Sequence, residues 1–69
     1  MQLQMLVDGR KIRRARQAKG QFLWELAAGS CSETMLLQVE FNKARASEHL
    51  LKTLACKLDL RLDELRPEV

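Results

Sequence analysis

An all-α fold, a compact bundle of five short helices, is what this sequence predicts, and three observations carry it. Leu50, Leu51, Leu54, Ala55 and Leu58 recur at the 3.6-residue helical period. Capping residues and glycines bracket helix-length segments elsewhere in the chain. Alternation of apolar and polar residues, the mark of a strand, is confined to residues 1–7. With 69 residues, 46% hydrophobic and 30% charged, the composition is that of one small globular domain. A chain of that length buries only about 60% of the surface it would expose unfolded. Well-matched helices, a second copy of the chain, or both must therefore supply its stability.

The segment 1–7 sets Met1, Leu3, Met5 and Val7 against Gln2, Gln4 and Leu6; it reads as an ordered tail in preference to a full strand. Asp8-Gly9 offers a cap for a first helix over Arg10 to Lys19, and Gly20 stands where a C-terminal glycine ends helices. The apolar stripe of that helix is narrow, Ile12, Ala15 and Ala18, so its neighbours must hold it. Phe22 to Ala28 forms a short second helix, stopped by Gly29-Ser30. Ser32 and Glu33 open a third helix through about Glu40, with Leu36 and Val39 on its inner face. Residues 42–46 lack a hydrophobic period and link to Ser47, the cap of the leucine-patterned fourth helix. Leu60 to Leu65 turns into a last short helix, and Pro67 ends it. The domain is expected to span 1–69, with its core over 8–65 and a frayed end at 66–69.

Net charge is +3, from twelve Lys and Arg against nine Asp and Glu. It is concentrated: Arg10, Lys11, Arg13, Arg14, Arg16 and Lys19 face only Asp8 within residues 1–20. Such a segment is either an anion-binding face or a solvated arginine-rich helix. Cys31 and Cys56 lie 25 residues apart without a CxxC, and His49 is the only histidine. No disulfide framework, metal site or cofactor is expected; His49 reads as a surface residue and the cysteines as small core thiols. A helical chain this small has little room for a catalytic pocket, so it is not expected to be an enzyme. No apolar run approaches the roughly 18 residues of a membrane span, residues 1–7 are too short and too polar for a signal peptide, and unpaired thiols suit a cytoplasmic location.

Residues 8–20, Glu25-Leu26-Ala27, Val39-Glu40 and the ending Leu54-Ala55-Cys56-Lys57-Leu58-Asp59-Leu60-Arg61-Leu62-Asp63-Glu64-Leu65 give a finer indication. Together they resemble the phage repressor and Cro-like helix-turn-helix family of transcription regulators, the xenobiotic-response-element type. The ending is similar to that family's LAxxLxVxLDEL, and the resemblance covers about residues 8–65. It implies a lambda-repressor-like bundle whose second and third helices form the helix-turn-helix. It also implies a structural salt bridge between Arg16 and Glu40, a pairing suited to two parallel guanidinium–carboxylate hydrogen bonds. The sequence departs from the family at three places. Gln21-Phe22-Leu23-Trp24 replaces a Ser/Thr-Gln start of the second helix. The turn between Ala27 and Cys31 is one residue shorter than usual. Phe41-Asn42 stands where a glycine commonly follows the closing glutamate, and Asn42 can supply the same left-handed turn.

The resemblance places Glu33, Thr34 and Gln38 toward the bases of double-stranded DNA. Gln38 suits adenine, Glu33 the amino group of cytosine, and Thr34 either base edge or a thymine methyl. Phosphate contacts are expected from Arg10, Arg13 and Arg14 in the first helix and from Lys43 and Arg45 after the third. The implied function is a sequence-specific regulator, a repressor binding a palindromic operator as a homodimer. The alternative is a module, of the kind phages and mobile elements encode, that binds a partner regulator through Phe22, Trp24, Leu37 and Phe41. Trp24 is assigned to the core first, with an apolar interface and DNA contact as alternatives. The dimer surface is open between Leu62 with Leu65 and the segment 1–7.

Overall fold

Each helix starts and stops where its end residues can satisfy stranded backbone groups. In the computed structural model, which describes residues 7–67, α1 spans Gly9–Ala18, α2 Leu23–Ala27, α3 Glu33–Glu40 and α4 Glu48–Lys57. Asp8 accepts a hydrogen bond from the Arg10 N–H, Ser32 from the Met35 N–H and Ser47 from the Leu50 N–H, the N-cap geometry that satisfies otherwise unpaired amides. At the start of α2 the Glu25 carboxylate accepts from the Phe22 N–H at 2.8 Å. The expected fifth helix is a single 3₁₀ turn, Leu62–Leu65; the all-α class stands, with four α-helices and this turn among the described residues. The segment 1–6, expected as an ordered tail and as one candidate dimer surface, lies outside the described residues, as do 68 and 69 of the expected frayed end.

Three helices end in the same way. Gly20, Asn42 and Asp59 adopt left-handed backbone with φ of 69°, 60° and 57°, and the residue after each donates its N–H back to Arg16, Gln38 and Ala55 respectively. This is the Schellman closure, which needs positive φ at its turning residue. The exception is α2: Gly29 follows the capping residue with positive φ as in the others, but Ala28 stands at φ −52° and ψ 126°, so the N–H groups of Ser30 and Cys31 both return to Ala27 O and reach no further back. The carbonyls left over are taken by Lys57, at the last turn of α4. Its Nζ donates to Leu26 O at 3.0 Å and to Ala28 O. The short turn between α2 and α3 is thus closed by a cation from another helix.

Ile12, Leu26, Leu36, Leu51, Leu54 and Leu65 are fully buried, with Val39, Ala27, Ala46, Ala55 and Leu58 beside them. Several positions differ from the sequence reading. Leu50 is half-buried, packed against the edge of the core, and Ala18 is exposed. Ala46, in the unpatterned link, is buried at 3% exposure. Cys56 is exposed and Cys31 half-buried; Cys56 lies on the outer face of α4, away from Leu51, Leu54 and Leu58. Leu65 is spent on the core, so of the pair expected for a dimer surface only Leu62 retains exposed area.

The joint between α1 and α3 is the most constrained part of the molecule. Arg16 Nε donates to Glu40 Oε2 at 2.8 Å, its Nη2 to Oε1 at 3.1 Å and its Nη1 to Gln21 O at 3.0 Å. Glu40 is 1% exposed, so its charge is tolerable only because that guanidinium meets it. At the same crossing a methyl group on Gly9 would lie 1.9 Å from Val39 O, so α1 passes directly over the last carbonyls of α3. Asn42 Oδ1 accepts from the Gly9 N–H at 2.8 Å, and Asn42 Nδ2 donates to Asp8 Oδ1 at 3.3 Å. The far end of the chain docks here too: Asp8 N–H donates to Leu65 O at 2.8 Å and Lys11 Nζ to Arg66 O at 2.7 Å.

Three outcomes follow for stability. Glu40→Gln or Arg16→Met should cost about 3–5 kcal/mol in chemical denaturation, whereas replacing both by apolar residues should cost much less, because only the single variants strand a buried charged or polar partner. Gly9→Ala, which helix propensity alone would favour by about 1 kcal/mol, should instead destabilise by about 1–3 kcal/mol through backbone overlap; an unchanged or higher Tm would contradict the close crossing. The third concerns acid. The Arg10 side chain hydrogen-bonded to Asp8, helped by the Arg10 N–H and Asn42 and opposed by partial burial, lowers the Asp8 carboxyl from 3.8 to about 2. A depressed folded value stabilises above the unfolded one and is lost as pH falls toward the folded one. The stability advantage of the native chain over Asp8→Asn should therefore shrink between about pH 4 and pH 2 in acid titrations followed by circular dichroism.

Candidate nucleic-acid interface

On α3 the inner face is Leu36, Val39 and Glu40, which leaves Thr34, Leu37, Gln38 and Phe41 at i, i+3, i+4 and i+7 on the opposite side. All four are exposed, and Glu33 is exposed as well, in the first turn of the helix. At eight residues α3 is about 12 Å long, comparable with the width of a DNA major groove, about 12 Å. Two of the three residues expected to read bases, Thr34 and Gln38, therefore share one solvent-facing helix surface with Leu37 beside Gln38, whereas Glu33 lies on the Leu36 and Glu40 side and is exposed because it begins the helix. Gln21, the nearest substitute for the missing glutamine of the second helix, precedes α2; its Oε1 is buried with no hydrogen-bond partner among the described residues. It is not turned outward as a contact would be.

The cations divide into groups. Lys43 and Arg45 are exposed in the link that follows α3, where Asn42 has turned the chain. Arg13 is carried by α1 to the end of α3, its guanidinium 5.3 Å from the centre of the Phe41 ring. Arg10 and Arg14 line a shallow pocket with Asp8, Lys11 and Pro67, and Arg10 is paired with Asp8 at 3.1 Å. The five candidate phosphate ligands therefore do not form one stripe.

Trp24 is not in the core. It is 57% exposed and Phe22 65% exposed, and their rings stack with centroids 6.4 Å apart at 11°. The reason is the brevity of α2: its five residues give one inward ridge, filled by Leu26 and Ala27 with half-buried Leu23, and the two aromatics fall outside it. Leu37 and Phe41 are also exposed, but on α3.

Two residues that shape this region were missed in the sequence. Lys57 closes the turn before α3, yet reading α4 by its apolar period leaves a lysine unassigned. The signal available was its place beside Leu54 and Leu58, on the side of α4 that must face another element. Gly9 read as part of a cap, although a better helix former would serve equally well there if space allowed. Burial pushes the Cys31 thiol up, against the opposing charge of Lys57.

No protein-family model and no curated protein matches the chain, but solved structures do. It is similar to the SHP pheromone receptor Rgg2 of Streptococcus dysgalactiae, at 30% identity and TM-score 0.73 over 83% of this chain. It is also similar to SinR, a master regulator for biofilm formation solved in complex with DNA, at 29% identity and TM-score 0.76, covering 83% of this chain and 94% of that one. A mutant of PrgX matches at 21% identity and TM-score 0.76 over 83% of this chain, a likeness of fold alone. The chain spans only 21% of the Rgg2 chain and 19% of the PrgX chain. The four helices, with α2 and α3 joined by the turn that Lys57 closes, share their fold with helix-turn-helix transcription regulators.

Proposed function

We propose that this chain is a sequence-specific DNA-binding transcriptional regulator of repressor type. The observation that carries the reading is the outward face of α3, where Thr34 and Gln38 stand exposed, with Glu33 exposed in the first turn, on a helix whose inner face is locked by Glu40. The similarity to SinR, which was solved in complex with DNA, supports DNA as the partner. In this reading α3 enters the major groove and Gln38 takes adenine through paired hydrogen bonds. Glu33 accepts from a cytosine amino group, Thr34 meets either base edge, and Leu37 covers a thymine methyl. Lys43 and Arg45 anchor the backbone beside it. Two copies on a two-fold symmetric operator place their α3 helices in successive major grooves about 34 Å apart. Bound to its operator, the dimer acts by occupying DNA that polymerase would otherwise use, and the reading calls for no cofactor.

A second reading rests on a different surface. The stacked Phe22 and Trp24 at the start of α2 are exposed apolar area suited to a partner protein, and such binding responds little to salt.

Selection of operators from random duplex DNA, followed by anisotropy titration between about 50 and 200 mM salt, tests the first reading. A retained pseudo-palindrome with steeply salt-dependent affinity is expected. Against that operator Lys43→Ala should weaken all sequences alike and lower the salt slope by about one, whereas Gln38→Ala should cost about 1–3 kcal/mol at its own base pair and relax specificity there. Unchanged affinity in both variants at fixed salt would refute the assignment. Folded protein that enriches no sequence would favour the apolar surface.

A further inference from the structure

We infer that Phe41 is a positioning residue that holds Arg13 as a phosphate clamp at the C-terminal edge of the reading face of α3. The inference rests on the DNA-binding reading and adds a role for the aromatic ring that closes α3.

Gly9, Arg13 and Arg16 lie at i, i+4 and i+7 on α1 and so form one ridge. Both ends of that ridge are fastened to the last turn of α3. Gly9 lies against the Val39 and Glu40 carbonyls, and Arg16 grips the Glu40 carboxylate. Arg13, between them, has α3 in front of it and solvent to the side, and its guanidinium lies 5.3 Å from the centroid of the Phe41 ring. At this separation the positive charge is attracted to the electron-rich ring face, and a guanidinium held by a ring face still has N–H donors for a second, anionic partner. Phe41 is itself the last member of the exposed row Thr34, Leu37, Gln38 and Phe41. The ring therefore does not pack inward. It is 51% exposed and serves as a platform beside the base-reading residues.

The arrangement separates Arg13 from the other cations of α1. Arg10 is drawn to Asp8, and Arg14 lies with Lys11 and Pro67 around the pocket at the start of α1. A helix lying in the major groove has phosphates along both edges of the groove, and a cation fixed at the end of its exposed row is where one of them runs. Holding the long arginine side chain over a ring before DNA arrives reduces the rotamer freedom lost on binding. An exposed stacked cation of this kind is worth about two- to fivefold in affinity.

The test is a double-substitution cycle on a mixed-sequence duplex of about 30 base pairs, suitable because a phosphate clamp does not depend on sequence. Arg13→Ala, Phe41→Ala, Phe41→Tyr and the double alanine variant are titrated at several salt concentrations, with thermal melts to establish that each is folded. Arg13→Ala should lower the salt slope by about one. Phe41→Ala should weaken binding about two- to fivefold when Arg13 is present and have no effect when it is absent, and Phe41→Tyr, which keeps the ring, should bind as the native chain does. Additive losses, or an affinity that Phe41→Ala leaves unchanged, would overturn the clamp while leaving the DNA reading intact. Native protein that shows no salt-dependent binding to the duplex would overturn the DNA reading and the clamp with it.

Discussion

The buried pair of Arg16 and Glu40 is the constraint on which the rest of the molecule depends. A carboxylate at 1% exposure is costly in a small helical core unless a partner meets it along both oxygens, and Arg16 does so while its third nitrogen takes the Gln21 carbonyl. One side chain thereby ties α1, the end of α3 and the approach to α2. The pair also sets which way α3 is turned. With Glu40, Val39 and Leu36 facing inward, Thr34, Leu37 and Gln38 have no choice but solvent.

The neighbouring contacts make sense as consequences of that pairing. Bringing Arg16 to Glu40 requires α1 to cross the end of α3 closely, which a glycine at position 9 permits. The crossing in turn leaves the Gly9 N–H facing the residue that ends α3. Asn42 answers twice, adopting the left-handed backbone that closes α3 and accepting that N–H with its side chain. Lys57 does comparable work at the other end of α3. Where the closure after α2 turns back only to the Ala27 carbonyl, a cation from α4 takes those of Leu26 and Ala28. The C-terminal end of the exposed helix is thus tied to α1 by polar contacts, and the turn leading into its start is tied to α4.

Much of this was legible in the sequence because it is local. Asp8, Ser32 and Ser47 are capping residues followed by helical periods, and Gly20 has the conformational freedom its place requires, so helix boundaries could be read within a residue or two. The inward Leu36 and Val39 of α3 followed from helical spacing, whereas its base-facing residues were what the family resemblance implied. Trp24 was misplaced because a large aromatic is usually buried, and nothing local reveals that a five-residue helix has only one inward ridge, already filled by Leu26 and Ala27. Cys56 was misjudged for a similar reason, since a small thiol suits a core but the rotation of α4 turns it outward. The last helix shrank to a 3₁₀ turn, whose length depends on how Leu65 reaches the core.

The sequence by itself determined the helical class, the order of its elements, the caps and the basic character of α1, because these depend on propensity, hydrophobic period and charge within a few residues. Only the tertiary structure decided how the cations of α1 are divided, with Arg13 over Phe41 and Arg10 drawn to Asp8, and that Gly9 and Lys57 are needed where they stand. Those outcomes depend on distances between elements far apart in the chain. The crossing of α1 over α3 brings position 9 against position 39 and position 13 against position 41, and that proximity is produced by burial and ion pairing in the whole fold.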